Sequence, residues 1–409
     1  MTDLLSELQN HLRRIAALHP WYGQLLGEAG IRLGLRESVD LKRLPLLGSA
    51  LLEKHYYSQP PRHEAGLSVY RTSGTSTGTR KSIYYSEEDE GRYMAAKRSS
   101  YAAWLGVNHG IRRAMADLGT GHAASTALAI FESMGCLGEA IPFTAPIQEH
   151  VVRLAAFQPQ LLYTMPSILE AIAEAAPHPR ELGIRKLILV GELASPEWQS
   201  RIAARFGLQP GDVLDTYGSI EAGAIAAYDH GLGRYVLAEG MIGESLPAEL
   251  VDDQLEPLSL DEGVLVITST QRSLFPVIRY VTYDVVRDFR TIERDGRLLY
   301  TFRGITKRIG REFKHGEKIS LYDIEEAVYR HATDVSLRVG MADNKLTLYL
   351  AGEHLDETKL LAIRSEVENS IDDIGLMIRN GLLGGIQVLA VGSMNRLPAG
   401  GVKAKKLYQ

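Results

Sequence analysis

The sequence has almost no cysteine, since Cys136 is the only one among 409 residues. A single thiol excludes an internal disulfide and any zinc site built from several cysteines, and it is typical of a reducing compartment. Runs of about 18 apolar residues are also missing, so no membrane-spanning helix is predicted. Residues 1–7 are acidic and lack a long apolar run, which predicts no signal peptide. We therefore expect a cytoplasmic protein without a membrane partner.

The chain also lacks an excess of charge of one sign. Its net charge is −5, which gives no reason to expect nucleic acid as a partner. With 45% hydrophobic and 23% charged residues, it has the composition of a protein that buries a core. Its length is comfortable for two or three domains.

A polar stretch stands out at residues 72–81, which contain only hydroxyls, glycines and cations. Apolar or aromatic residues on both sides predict that it connects two strands. Hydroxyls and backbone N–H groups can wrap phosphate oxygens, and glycine permits a close backbone approach. The alternative is a flexible surface hairpin. A P-loop of the NTPase type is excluded, because the pattern counted from Gly74 requires glycine at position 79, where the chain has Thr79.

The middle of the chain alternates between short apolar strands and helices. The predicted elements are a strand at 161–164, a helix from Pro166, a strand at 187–190, a helix from Pro196 and a strand at 213–217. This order predicts a parallel sheet that binds ligands at the carboxyl ends of its strands. Gly191, Glu192 and residues 218–221 fall at those ends.

Short strands dominate after about residue 230. They are predicted at 264–268, 277–281, 285–289 and 298–302, and they indicate a smaller β subdomain. A basic turn at 303–308 is followed by a compact α+β unit. Its predicted elements are a helix at 321–330, strands at 336–341 and 346–351, a helix at 356–371 and a strand at 386–391. We therefore predict an α/β protein, with a large domain (1–302) of sheets flanked by helices and a small C-terminal α+β domain (303–409).

The motifs follow one another in a recognisable order. They are the polar loop 72–81, Gly191-Glu192, Tyr217-Gly218-Ser219-Ile220-Glu221, Arg279-Tyr280-Val281-Thr282-Tyr283-Asp284 and Gly401-Val402-Lys403-Ala404-Lys405-Lys406. This order resembles the adenylate-forming superfamily of acyl-CoA synthetases, peptide-synthetase adenylation domains and luciferases. The branch that looks most similar is the phenylacetate–CoA ligase group. The resemblance covers nearly the whole chain and implies that ATP activates a carboxylic acid as an acyl-adenylate, with release of pyrophosphate.

The resemblance also implies roles for individual residues. The β- and γ-phosphates of ATP are expected at Thr72, Ser73, Gly74, Thr75, Ser76, Thr77, Gly78 and Lys81. Further nucleotide contacts are expected at Gly191, Glu192, Asp215, Gly218 and Ser219. Tyr217 is expected to stack on adenine, and Glu221 to bind Mg²⁺ through a carboxylate oxygen. Asp284 is expected to accept hydrogen bonds from the ribose hydroxyls, with Arg303 nearby.

Lys403 is the expected catalytic residue, because it aligns with the late lysine that bridges carboxylate and α-phosphate as negative charge accumulates. In the family the small domain rotates between the two half-reactions, so the C-terminal domain is expected to be mobile. Taken alone, these residues also have ordinary interpretations. Tyr217 fits a core aromatic, Glu221 a helix-start charge, Asp284 a turn cap and Lys403 a solvated basic tail. Their joint order favours the catalytic interpretation.

The chain departs from the family pattern at two informative places. Tyr283 stands where a glycine commonly precedes the ribose aspartate, and the hinge aspartate expected after Arg303 is missing. The acid, expected to be aryl or arylacetic, is predicted to lie between 117–145, 191–194 and 217–224. Coenzyme A is the expected acceptor, and a carrier-protein thiol or an amine is the alternative. A non-catalytic nucleotide-binding relative is a further alternative, and the resemblance is compatible with a homodimer.

Overall fold

The structure is a computed structural model. It describes residues 2–34, 39–59, 66–71, 81–106, 109–118, 122–142, 145–309, 320–342, 345–379, 383–392 and 407–408. The predicted phosphate loop from 72 to 80 and the predicted catalytic Lys403 lie outside the described residues.

Helices occur along the whole chain. They are α1 (Thr2–Leu18), α2 (Pro20–Glu28), α3 (Ser49–Leu52), α4 (Glu87–Leu105), α5 (His122–Ser133), α6 (Ile147–Phe157), α7 (Pro166–Ala175), α8 (Pro196–Phe206), α9 (Ala248–Val251), α10 (Leu321–His331), α11 (Glu357–Ser370) and α12 (Asp372–Arg379). Two of them begin as the sequence predicts, with a proline in the first turn. Ser195 caps α8 by accepting a hydrogen bond from the backbone N–H of Trp198.

The strands form several sheets. In chain order they are β1 (Leu67–Arg71), β2 (Ser82–Ser86), β3 (Arg113–Leu118), β4 (Leu137–Pro142), β5 (Leu161–Thr164), β6 (Lys186–Val190), β7 (Val213–Ser219), β8 (Gly223–Asp229), β9 (Arg234–Leu237), β10 (Met241–Leu246), β11 (Glu262–Ser269), β12 (Tyr280–Arg287), β13 (Arg290–Arg294), β14 (Arg297–Phe302), β15 (Gly304–Arg308), β16 (Val335–Ala342), β17 (Lys345–Gly352), β18 (Ile386–Ala390) and β19 (Leu407–Tyr408).

The central sheet has nine strands in the order β13-β14-β9-β8-β7-β6-β5-β3-β4. Strands β4, β3, β5, β6 and β7 are parallel, which confirms the predicted βαβ pattern, and β8 and β9 continue the sheet antiparallel. Alternate residues of β5 pack on opposite faces. Leu162 belongs to the core formed with α7 and α8, whereas Tyr163 belongs to the core formed with α4 and α5. Helices therefore cover both faces of the parallel strands.

A second sheet has the order β10-β11-β12-β15 and is antiparallel. Here the predicted strands at 277–281 and 285–289 are one strand, β12. The chain does not turn between them. It changes register against β11 between Val264 and Val266 and against β15 between Val285 and Val286, and then resumes pairing. The two register shifts interrupt the alternating pattern of β12, and for that reason the sequence predicted two strands where the structure has one.

A smaller C-terminal unit follows, with a sheet in the order β18-β17-β16-β19 covered by α10 and α11. Polar contacts hold it against the rest of the protein. The Glu325 carboxylate accepts a hydrogen bond of 3.1 Å from the backbone N–H of Ser195. Asp323 pairs with Arg287 at 2.7 Å. Within the described residues, no helix is long and apolar enough to cross a membrane.

Candidate active site

A cleft of about 2150 Å³ opens where the parallel strands end. The ends of β6 and β7 line it together with residues of β8, β12 and β15 from the antiparallel part, and residues of α4 and α5 line it as well. The predicted residues Gly191, Glu192, Asp215 and 217–221 all line this one cleft, as do Lys81 and Asp284. The cleft lies where the rule that ligands bind at the carboxyl edge of parallel strands predicts, and it is the candidate site.

Glycine is required at two points of the cleft edge. Gly191 has a φ of 84°, a conformation that costs glycine little. At Gly218 a Cβ atom would lie 2.5 Å from the carbonyl oxygen of Gly223, so only glycine allows the backbone of β7 to approach that of β8. Glu192 follows Gly191 and accepts hydrogen bonds of 2.8 Å from the backbone N–H and the hydroxyl of Ser167, which ties the end of β6 to the start of α7.

Tyr217 and Asp284 meet although 67 positions separate them in sequence. The Tyr217 hydroxyl donates to the Asp284 carboxylate, and the Arg308 Nε lies 3.6 Å from the other carboxylate oxygen. Cross-strand pairing of Asp284 with Arg308 sets this arrangement. Burial, followed by the neighbouring Asp284, raises the pKa of Tyr217, and Asp284 also raises the pKa of Arg308. The three groups form a charge-compensated rim on one side of the cleft, which we call the Asp284 side.

Arg303, the predicted ribose neighbour, is exposed and is not among the described residues that line the cleft. Arg308 occupies the position beside Asp284 instead. The difference follows from the register of β15 against β12, which the sequence alone does not give. Arg303 precedes β15, whereas Arg308 is the β15 residue paired with Asp284.

The contacts of Tyr283 explain why a tyrosine is tolerated where the family commonly has a glycine. It has a φ of 62°, in the left-handed region where glycine is usual. Its hydroxyl lies 3.0 Å from the backbone nitrogen of Ser49 and accepts that N–H, and it lies 3.2 Å from the Ser49 hydroxyl. These contacts offset a conformational cost of about 1 kcal/mol or more. Tyrosine here fastens the N-terminal segment to the strand that carries Asp284.

Several predicted nucleotide contacts are already engaged within the protein. Buried Asp215 accepts hydrogen bonds from the Tyr235 hydroxyl and, at 3.4 Å, from the Gln199 amide. The Ser219 hydroxyl accepts the backbone N–H of Ala222 at 3.1 Å. These internal hydrogen bonds hold the side chains in place at the strand ends, and the Ser219 O–H and the remaining Asp215 lone pairs are still able to contact a ligand.

Lys81 and Glu221 present charge to the cleft. The Lys81 amine pairs with Glu53 and lies 4.7 Å from the centre of the Tyr57 ring. Neither a hydrogen bond nor an ion pair engages the Glu221 carboxylate within the part of the chain that the structure describes. No cluster of three or more metal-binding side chains occurs among the described residues either. A lone free carboxylate suits Mg²⁺, which commonly takes one or two carboxylates and completes its shell with phosphate and water oxygens.

Another group of side chains lines the same cleft, and it combines part of the predicted 117–145 segment with residues of α4 that were not predicted. His122, at the start of α5, lies with its Nε2 2.7 Å from the Glu90 carboxylate and its ring stacked on Tyr93 at 3.7 Å between centres. Burial lowers the pKa of His122, against the opposing effect of Glu90. Helix α4 carries Glu90, Tyr93 and Lys97. Residues 87–105 are predicted from the sequence as a helix rich in charge and tyrosine, without a role in the site. The spacing of Tyr93, Lys97 and Tyr101 by four residues marks one helix face and is the signal that was missed.

Comparisons with known proteins identify the family. The AMP-binding enzyme family matches residues 33–274, and the fumarate–diaminopropanoate ligase C-terminal domain matches residues 314–393. A fumarate–(S)-2,3-diaminopropanoate ligase from Enterobacter agglomerans is 37% identical over 388 residues, which cover 94% of each chain.

Solved structures share the fold. A 2-hydroxyisobutyryl-CoA ligase in its postadenylation state superposes with a TM-score of 0.72 at 20% identity, over 99% of this chain and 88% of that one. An anthranilate CoA ligase in complex with anthranoyl-AMP gives a TM-score of 0.52 at 14% identity, over 82% and 64% of the two chains. The predicted α/β architecture with a smaller C-terminal domain is confirmed. The chain therefore belongs to the AMP-binding enzyme family, and it is an adenylate-forming, AMP-forming carboxylate ligase.

Proposed function

We propose that this enzyme joins one carboxyl group of a fumarate-like dicarboxylic acid to an amino group of a diamino acid, forming an amide. The observation that carries the proposal is the 37% identity to a fumarate–(S)-2,3-diaminopropanoate ligase, which extends over 94% of both chains. The match of residues 314–393 to the C-terminal domain named for the same ligase supports it further. An aryl acid and coenzyme A, the pair expected from the phenylacetate–CoA ligase resemblance, have less support.

In the first half-reaction a carboxylate oxygen of the acid attacks the α-phosphorus of ATP, and pyrophosphate leaves. In the second, the amine nitrogen attacks the acyl carbon, AMP leaves and the nitrogen loses a proton. An amine acceptor must be neutral to attack, unlike a thiol, which reacts as thiolate. The Asp284 side supports ribose binding, because Asp284 retains lone pairs beyond those used by Tyr217 and Arg308.

The remaining nucleotide roles stand as part of this proposal. Gly191 and Gly218 bring backbone close to the ligand, Tyr217 offers a ring face to adenine, and residues 72–81 with Lys81 hold the terminal phosphates. Glu221 would hold Mg²⁺, which when bound offsets the charge of the phosphates. Lys403 would bring a cation to the carboxylate and the α-phosphate.

We propose that the chain acts as a large and a small domain, with the boundary after β15 instead of at the predicted residue 303. Strand β15 pairs with β12 and so belongs to the second sheet of the large part. Polar contacts such as Ser195–Glu325 and Arg287–Asp323 join the C-terminal unit to the large part, and buried apolar residues of α8 and α10 belong to one hydrophobic cluster. A second arrangement of the two parts would have to separate both kinds of contact.

ATP–pyrophosphate exchange across a panel of acids tests the proposal, because exchange reports adenylation without an acceptor. The panel contains fumarate, succinate, crotonate, benzoate and phenylacetate. We expect fumarate to give the highest kcat/KM. A preference for phenylacetate or benzoate would contradict the proposed acid and favour the aryl substrate instead. No exchange with any acid, by protein that binds ATP, would favour the non-catalytic alternative.

A further inference from the structure

Lys97 is a buried lysine on α4 that lines the cleft, with an exposure of 6%. Its ammonium group carries three donors, and one of them is given to the Tyr163 hydroxyl on β5. No ion pair joins Lys97 to a carboxylate anywhere in the described ranges. Segments 72–80 and 119–121, which connect strands at the cleft to their next elements, contain no aspartate or glutamate. Among the described residues, this cation thus has no opposite charge as a partner.

Two other lysines of the protein, in contrast, each lie close to a carboxylate. Lys186 lies over the Trp104 ring at 5.1 Å, and its amine is paired with Asp212 at 2.8 Å. Lys307, also little exposed, lies 3.6 Å from Glu262. A buried charge without a partner costs several kcal/mol, so most buried cations have carboxylate partners. The missing partner of Lys97 is therefore an exception within its own molecule.

Three tyrosine rings surround the Lys97 amine. The ring centres of Tyr163, Tyr93 and Tyr101 lie 4.8, 5.2 and 5.9 Å from Nζ. Aromatic faces attract a cation but offer only part of what water or a carboxylate would give. Burial accordingly lowers the pKa of Lys97 from its ordinary 10.5 to about 7. The cage holds the amine in place and leaves its charge uncompensated.

The cage is connected to the strand ends that form the rest of the site. Tyr93 packs against His122, and a Cβ atom at Gly223 would lie 3.2 Å from the Tyr93 ring. Tyr85 contacts the same His122 and donates its hydroxyl to the Ile220 carbonyl at 2.8 Å. Lys97 therefore faces the cleft from the side where α4 and α5 meet β7 and β8, away from the rim that Asp284 forms.

We propose that Lys97 binds the carboxylate of the acid that is not activated, and that this contact selects a dicarboxylic acid. The inference rests on the proposed function and deepens it by naming the residue that determines the specificity for the acid. The second carboxylate of the ligand supplies the negative charge that Lys97 lacks among the described residues. An acid with an apolar group at this position would leave the amine without a charged partner and would gain no charge-assisted hydrogen bond, so the site would favour the dicarboxylic acid.

Crotonate is the discriminating probe, since it carries a methyl group where fumarate carries its second carboxylate. The experiment measures kcat/KM for ATP–pyrophosphate exchange with fumarate and with crotonate, in the wild-type protein and in Lys97→Met. Lys186→Met is the matched control, because it removes a lysine that also lies over an aromatic ring but is paired with Asp212. Lys97→Gln is measured alongside and keeps a polar side chain of similar length.

We expect wild-type protein to prefer fumarate by roughly 100-fold or more, and Lys97→Met to lose most of that preference while still using crotonate. Lys97→Gln should lose the preference too, and Lys186→Met should keep it. If Lys97→Met lowers both acids equally, or if only the later discharge of the adenylate changes, Lys97 does not read the acid. The second outcome would indicate that it contacts the amine substrate.

The two proposals fail in different ways. If wild-type protein activates fumarate but passes it to a thiol, the proposed acceptor is wrong and the Lys97 inference stands. If wild-type protein prefers fumarate and Lys97→Met and Lys97→Gln keep the same preference, only the inference falls. If wild-type protein prefers monocarboxylic acids, the proposed acid fails and the inference fails with it.

Discussion

The two sides of the cleft treat charge in opposite ways. On the Asp284 side, the carboxylate is matched by Arg308 and by the Tyr217 hydroxyl. On the Lys97 side, a buried ammonium has tyrosine rings and one hydroxyl around it and no carboxylate within the described part of the chain. Both sides line one cleft, yet one is balanced without a ligand and the other is not.

The difference follows from what each side is proposed to bind. Ribose hydroxyls are neutral, so a site for them is best balanced beforehand, with acceptor lone pairs to spare. A carboxylate carries its own charge, so a site for it gains most when the protein leaves a cation unpaired. The cost is stability in the absence of the ligand, which is common at functional sites. Four substitutions test this comparison.

The largest effect is expected from Lys403→Ala, which removes a cation proposed to act at neither side but between them. Acyl-adenylate formation should fall by two to three orders of magnitude, because charge develops on the α-phosphate as the carboxylate attacks. Transfer from a supplied acyl-adenylate should change much less, since the small domain is expected to have rotated by then. Single-turnover rates of the two half-reactions decide the matter. Lys405→Ala is the control, and normal adenylation by Lys403→Ala would show that the tail is only a solvated terminus.

Asp284→Ala should have the next largest effect. It removes the acceptor proposed for ribose and leaves Arg308 and Tyr217 without their shared partner. We expect ATP binding to weaken by about 2–3 kcal/mol, with little change in the affinity for fumarate. Calorimetric titration of ATP and of the acid measures both. If the affinities for ATP and for the acid fell equally, the Asp284 side and the Lys97 side would not bind separate ligands. An unchanged ATP affinity would show that Asp284 does not bind the ribose.

Lys97→Met should stabilise the free enzyme by about 1–3 kcal/mol at pH 7, although it impairs the use of fumarate. Because the pKa of Lys97 falls from 10.5 to about 7 on folding, the unfolded chain binds more protons between those values. The penalty is therefore full below pH 7 and fades as the pH rises toward 10.5. Groups that face the amine are Tyr93 and Tyr101 on its own helix, Tyr163 on β5 and the nearby His122 on α5.

Urea unfolding at several pH values measures this difference against Lys186→Met. The gain from Lys97→Met should shrink from pH 7 to pH 10. A loss of stability at every pH would mean that Lys97 is a structural residue whose tyrosine cage satisfies it, and the contrast between the two sides would disappear.

The smallest effect is expected from Glu221→Gln, which keeps the shape of the side chain and removes its charge. The Mg²⁺ concentration for half-maximal adenylation should rise several-fold, and excess Mg²⁺ should restore most of the rate. The measurement is pyrophosphate exchange over a Mg²⁺ titration. An unchanged titration curve would exclude Glu221 as the Mg²⁺ ligand.

Much of the fold was predictable from local patterns. Buried strands such as β5 and β6, with a proline starting the helix after β5, carry the periodicity of a parallel sheet in the sequence itself. The carboxyl-edge rule then brings Gly191 and Glu221 together without further information. Strand β12 was harder, because its irregular register and the positive φ of Tyr283 break the pattern inside one strand.

The site was predictable where a motif fixes the backbone and not where tertiary packing decides. Tyr217 and Asp284 belong to linear motifs, so both were expected to line one nucleotide site, whereas the hydrogen bond between them was not predicted. Arg308 was passed over for Arg303, because its role depends on strand register against β12. Lys97 was missed altogether. Lys97 stands out because no described carboxylate pairs with it, and which charges are paired depends on the tertiary structure, which the sequence does not show directly.

The central claim is that an amine, not a thiol, receives the activated acid. The most direct measurement forms the acyl-adenylate from fumarate and ATP in a single turnover and then adds (S)-2,3-diaminopropanoate or coenzyme A in separate reactions. The rate of AMP release and the mass of the product are followed. We predict that the diamino acid discharges the adenylate at least roughly 100-fold faster than hydrolysis, giving an amide, and that coenzyme A does not accelerate it. Rapid discharge by coenzyme A to a thioester, with the amine inert, would contradict the account.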